Sequence, residues 1–137
     1  MRFLKNAGEK NNAMSNEHFE WGRYAVLGRR AKAMLADEVG QQRIAAFALR
    51  KNRVVSVGVN SYIKTHPRQH LLARLAGQHK REYLHAEICA LIRAPRDADT
   101  LVVIRIDKQG SYACAKPCPV CRLGIAMFSP DLRVIHT

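Results

Sequence analysis

The chain has 137 residues, 47% of them hydrophobic, and its 23 Lys and Arg against 11 Asp and Glu give a formal net charge of +12. That length suits one domain with a real core. No run is apolar enough to span a bilayer, and Met1-Arg2-Phe3-Leu4-Lys5 lacks the apolar stretch of a secretory signal.

Residues 1–15 are polar, with Lys5, Asn6, Glu9, Lys10 and Asn11, and read as a flexible tail ahead of one domain over 16–137. A helix is predicted from Asn16 to Ala36. Tyr24, Leu27, Ala31 and Leu35 recur at helical spacing, and Arg23, Arg29, Arg30 and Lys32 fall on the wet side. Trp21 reads as core or edge packing. Arg43–Leu49 and Arg53–Val59 read as two strands, joined at Lys51-Asn52 by a tight hairpin in which Asn tolerates positive φ. Asn60 then stands at a strand end, where loops carry function.

Ser61–Leu84 holds Lys64, Arg68, Arg74, Lys80 and Arg81 against the single acid Glu82, with His66, His70 and His79 and a short helix around Leu71, Leu72 and Leu75. It runs straight into His85 and is expected to overhang the site as a basic, phosphate-gripping lid. A solvated basic loop is the plainer alternative. The three histidines read as solvent-facing or hydrogen-bonded. His85-Ala86-Glu87 opens a helix that Pro95 stops. Leu101–Ile106 is a buried strand, and Asp107–Gly110 turns the chain. Tyr112-Ala113-Cys114 runs extended into Pro117, with Cys114 expected as a small core residue. A helix continues past Cys121 through Ile125, Met127 and Phe128, and Leu132–Ile135 is the last strand. The order α-β-β-α-β-α-β argues for an α/β protein, a three-layer α/β/α sandwich on a mixed central sheet.

The chemistry concentrates in His85-Ala86-Glu87 and Pro117-Cys118-Pro119-Val120-Cys121. Zinc takes sulfur and nitrogen donors tetrahedrally, and a catalytic site leaves one position for water. His85, Cys118 and Cys121 supply three donors. Cys118 and Cys121 lie one helical turn apart, so both sulfurs share a face. Pro119 suits the first turn of that helix, and a helix N-terminus favours thiolate. Zinc makes its bound water acidic near neutral pH, and Glu87 is placed to accept that proton and pass it on. Two other readings stay open. One is a closed structural zinc site with a fourth ligand from Cys89, Cys114 or another histidine, and the other is a redox C-x-x-C pair. With the cysteines largely committed to metal, a reducing cytoplasm and no disulfides are expected.

H-x-E…P-C-x-x-C is the signature of zinc-dependent nucleobase deaminases. Over Gln41–Thr137 the chain resembles the cytidine deaminase superfamily, most closely its CMP/dCMP-type deaminases, short phage-type members included. The resemblance rests on those two motifs, on Gly58-Val59-Asn60 and on the ending Leu132-Arg133-Val134-Ile135. It implies Zn2+ on His85, Cys118 and Cys121, proton transfer by Glu87, sugar contact by Asn60, and backbone N–H groups of Ala86 and Cys118 beside the base near Pro117. It also implies a homo-oligomer. The first ligand is histidine, where free-nucleoside enzymes usually have cysteine. Lys116 stands where tRNA adenosine deaminases usually have an acid, Ser61 where many dCMP deaminases have glycine, and the C-terminal helix of many tRNA-acting members is missing.

The expected reaction is therefore zinc-dependent deamination of dCMP or CMP to dUMP or UMP, with Lys64, Arg68 or Lys116 on the phosphate. The net charge keeps nucleic acid open as a partner, and with it a polynucleotide deaminase acting on tRNA or single-stranded DNA. A non-enzymatic zinc-stabilised nucleic-acid-binding module is the third reading. No RGG, zinc-knuckle or aromatic-basic repeat points to nucleic acid independently.

Overall fold

The computed structural model describes residues 19–38 and 43–137; the expected tail at 1–15 lies outside them. The elements run α1 (Trp21–Leu35), β1 (Arg43–Arg50), β2 (Arg53–Val59), α2 (Pro67–Leu75), α3 (Ala86–Arg93), β3 (Thr100–Ile106), β4 (Tyr112–Ala113), α4 (Pro119–Phe128) and β5 (Arg133–His136). Relative to the expected order, the short helix inside the basic segment and a two-residue strand are now elements of their own.

Helix α1 runs from Trp21, with Phe19 and Glu20 non-helical before it; residues 16–18 of the expected helix lie outside the described residues. Glu20 at its N-cap makes no side-chain cap bond; its carboxylate reaches Arg133 at 2.5 Å. Aromatic packing sets the start, with the Phe19 ring centroid 4.5 Å from that of Trp21 and 5.9 Å from that of Tyr24. Tyr24 itself leaves helical geometry (φ −113°, ψ 18°). The predicted periodicity holds: Tyr24, Leu27, Ala31 and Leu35 are buried, and Arg23, Arg29, Arg30 and Lys32 are exposed.

Strands β1 and β2 pair antiparallel. Lys51 and Asn52 both take positive φ (49° and 66°), as in the primed turns whose twist matches the strands. Asp99 braces this turn by accepting from the Lys51 N–H (2.9 Å) and the Thr100 hydroxyl (2.8 Å), which hold its carboxyl below the usual range. Strand β3 lies at the centre. It pairs antiparallel with β1 along one edge; along the other, β5 runs parallel over Thr100–Val103 and β4 antiparallel at Arg105–Ile106. The sheet is mixed, as expected.

Strand alternation separates two cores. Ala45, Phe47, Leu49, Val102, Ile104 and Ile106 pack under α1. Ala46, Ala48, Leu101 and Val103 face the other way, against Ala86, Ala90, Leu91 and Ile125 of α3 and α4. Helix α2 packs outside that second layer, with Leu72 and Ala73 against Ile88, Val120 and Cys121. One expectation fails here. Cys114 is exposed, whereas Ala115 is 3% exposed: in the extended run after β4, side chains alternate, and Ala115 takes the inward place.

Helix α3 lies unusually close to the sheet because both surfaces are small there. A Cβ added at Gly58 would fall on the Ala86 carbonyl oxygen and 2.5 Å from the Ala90 nitrogen. Two residues earlier, the Ser56 hydroxyl donates to the Ala90 carbonyl at 2.6 Å, one of the last-turn carbonyls that a helix leaves unbonded. Ser56→Ala should cost about 1 kcal/mol, read as a lower urea midpoint at unchanged slope; an unchanged midpoint would show that the bond contributes nothing.

Candidate metal centre and active site

His85 is the N-cap residue of α3 and Cys118 that of α4, each with extended backbone, so two helix starts face each other. Pro119 occupies the first turn of α4, where its missing N–H costs nothing. The His85 Nδ1 atom lies 3.3 Å from Cys121 Sγ and 3.5 Å from Cys118 Sγ, and the three donor atoms all lie within 4.8 Å of one another. A tetrahedral ion with Zn–N near 2.0 Å and Zn–S near 2.3 Å separates such ligands by about 3.5 Å. The donor set therefore fits Zn2+, and Nδ1 is the nitrogen turned toward it. Among the described residues, Cys89 and Cys114 lie outside this cluster, so the two cysteines considered as a fourth ligand do not close it.

Glu87 sits in the first turn of α3 and is 4% exposed. Burial pushes its carboxyl above the ordinary range, and the neighbouring Cys118 adds to this against a backbone hydrogen bond that pulls it down. Within the protein alone the two sulfurs divide. Cys118 is held down to about 3, by the Cys121 hydrogen bond first and by His85 as well, against its burial. Cys121 is pushed up by burial and by its neighbour's charge. Burial lowers the proton affinity of His85, but Cys118 and Glu87 outweigh it and the net shift is upward. Zinc must displace these protons to bind, so its affinity should fall as pH falls. Stripping the metal should lower Tm, and adding Zn2+ should restore it, by about 4 kcal/mol of stability at 1,000 times Kd. Scanning calorimetry reads this directly; a Tm indifferent to zinc would contradict it.

The remaining candidates are spread around this centre. Ala86 and Pro117 are buried beside the ligands in sequence, and the Pro117 carbonyl accepts from Arg122 Nε at 3.3 Å. Asn60 is tied to the start of β1 from both its groups: its N–H donates to the Ile44 carbonyl (3.2 Å), and its Oδ1 accepts from the Ile44 N–H (2.8 Å). Lys64 and Lys116 are exposed. Arg68 is exposed too and lines a groove of about 260 Å³ with Leu71, Ile88, Leu91 and Met127.

The basic segment folds back on itself before reaching the site. Ser61 N–H donates to the Leu84 carbonyl, Leu84 N–H to the Lys64 carbonyl, and Thr65 bridges Tyr83. His66 caps α2 by accepting from the Arg68 N–H (3.0 Å), and His70 lies 3.9 Å from Glu82, so neither joins the metal cluster. Two residues take places that the sequence did not indicate. Arg81 was only one cation among five, yet its charge acts on His85. Gln69 is fully buried and bonded to the chain at Arg81 and His85. Its signal was helical spacing, since Gln69, Leu72 and Ala73 form the buried face of α2.

A mixed sheet between helical layers, with a His-Cys-Cys donor set and a buried glutamate at two helix starts, defines a zinc-dependent deaminase fold and site. The family profile of the cytidine and deoxycytidylate deaminase zinc-binding region matches residues 20–137, and the chain belongs to this family. No curated protein and no solved structure gave a significant match. Among the described residues, no helix is long and apolar enough to cross a membrane.

Proposed function

We propose that the chain deaminates a free cytosine nucleotide, dCMP or CMP, yielding dUMP or UMP and ammonia. The observation that carries this is the buried Glu87 carboxyl beside a three-donor zinc set. Bound there, zinc supplies a water acidic enough to act as a nucleophile near neutral pH. With the metal held by His85, Cys118 and Cys121, Glu87 would take one proton from the water as its oxygen bonds to C4 and deliver it to N3. It would then carry the water's second proton to the amino nitrogen as the C4–N bond breaks, so one water enters and one ammonia leaves. Backbone N–H groups of Ala86 and Cys118, with Pro117 shaping the loop, hold the base. Asn60, fixed by Ile44, contacts the sugar. Lys64, Arg68 and Lys116 are the phosphate candidates, and the basic segment between β2 and α3 serves as the lid.

A second reading has a specific observation in its favour. Tyr62, Ile63 and Tyr83 are 47%, 87% and 48% exposed on the same folded-back segment as Lys64 and Arg81, a combination suited to stacking unpaired bases along a charged track. A panel of dCMP, CMP, deoxycytidine, cytidine, single-stranded DNA and tRNA, assayed for ammonia release by zinc-loaded protein, separates the two. Turnover of dCMP or CMP alone supports the nucleotide enzyme. Turnover of polymers alone, falling steeply with salt, replaces it with the polynucleotide enzyme.

A further inference from the structure

The N–H of a helix N-cap residue lies outside the helix ladder, and in many helices a Glu or Gln at the third helical position reaches back to bond it. Helix α3 has no such residue. Its third position is Ile88, packed in the core, and its one first-turn acid is Glu87. His85, the N-cap, makes no side-chain cap bond; its imidazole is turned to the two sulfurs. The partner comes from another helix. Gln69 of α2 accepts from the His85 N–H through Oε1 at 3.1 Å, and its Nε2 donates to the Arg81 carbonyl at 2.9 Å. The orientation of the amide is fixed by chemistry, because one neighbour is a donor and the other an acceptor. Gln69 is fully buried, so water offers neither group a replacement.

We propose that Gln69 is a positioning residue for the zinc site: it holds the stretch from Arg81 to His85 at both ends, and thereby fixes where the first zinc ligand enters α3. This rests on the zinc site alone and is indifferent to which substrate is turned over. It also gives the basic segment a second task. The helix that this segment contributes carries the residue that bonds the backbone of the first ligand, so α2 is tied to His85 through Gln69. Partners of a ligating side chain typically carry about 10–100-fold in metal affinity or activity; Gln69 holds His85 by its backbone N–H, which places its effect at or below the lower end of that range.

The test compares zinc affinity, by chelator competition, for the full-length wild type, Gln69→Met and Gln69→Glu. Methionine keeps the bulk and loses both bonds; glutamate keeps the acceptor toward His85. Zinc affinity should fall by up to about 10-fold in Gln69→Met and less in Gln69→Glu, with kcat per bound zinc lowered and KM little changed. A purely structural residue would lower Tm and leave the zinc affinity of the folded protein alone; that result, or equal affinity in both variants, overturns the proposal. Should Gln69→Met not fold, NMR of zinc-loaded wild type decides. The Gln69 side-chain amide should exchange its protons slowly with solvent, and exchange at the free rate overturns the proposal. A wild type that bound no zinc would be a different failure, that of the metal site itself.

Discussion

Glu87→Gln should reduce kcat by about 10²- to 10⁴-fold, the usual contribution of a positioned acid–base group, while zinc content stays at that of wild type. The amide fills the same volume in the first turn of α3 and touches the same neighbours, but it cannot accept the proton that the reaction must move. The same change should stabilise the metal-stripped protein. Burial raises the Glu87 carboxyl above its ordinary 4.5, so the folded state keeps a proton that the unfolded chain gives up. Below 4.5 both states are protonated and the group costs nothing. As pH rises through the window between 4.5 and the raised value, wild type loses stability that the Gln variant keeps. The Tm difference between the two should therefore widen with pH over that window, as expected for a site that sacrifices stability for activity. Ammonia release, metal analysis and a pH series of melts check the three parts. Undiminished turnover in a zinc-loaded variant would remove Glu87 from the reaction.

Gly58→Ala should damage the fold and the site together. Ordinarily such a change in a strand favours folding by about 0.4–1 kcal/mol through the unfolded chain. Here the added methyl meets the backbone of α3 at Ala86 and Ala90, which cannot rotate away as a side chain would. Overpacking of this kind costs about 1–3 kcal/mol, and the obstacle being backbone places Gly58 at the upper end. The helix must lift from β2, carrying His85 and Glu87 with it and loosening the Ser56 bond to Ala90. We expect a lower urea midpoint and a weaker zinc affinity in the same variant. Wild-type values for both would show that α3 can shift without cost.

The ligand set was legible because its geometry is local: His85 and Glu87 share one helix start, and Cys118 and Cys121 one turn of another. The sheet was legible for a similar reason, since alternation in β1 and β3 assigns each side chain to a face without knowledge of what covers it. What escaped depended on partners distant in sequence. Gln69 is an ordinary polar residue until His85 and Arg81 are seen at its two ends. The tight meeting of Gly58 with α3 needs the layer spacing. Cys114 looked apolar enough for the core, but its neighbour Ala115 holds the inward position. The start of α1 at Trp21 goes with the ring contacts of Phe19 to Trp21 and Tyr24, which helical spacing alone does not show.

The chain's single tryptophan is placed where it reports on only half of the molecule. Trp21 lies between Phe19 and Tyr112, with ring centroids at 4.5 and 4.4 Å, and packs against the core beneath α1. The metal donors sit on the opposite face of the sheet. Indole fluorescence thus follows the docking of α1, and a cobalt ion substituted for zinc would follow, by its thiolate absorption, the layer of α3 and α4. Coincident melts by the two colours would mean that the central sheet transmits unfolding from one face to the other as a single event, and separated melts would resolve two layers that open in turn.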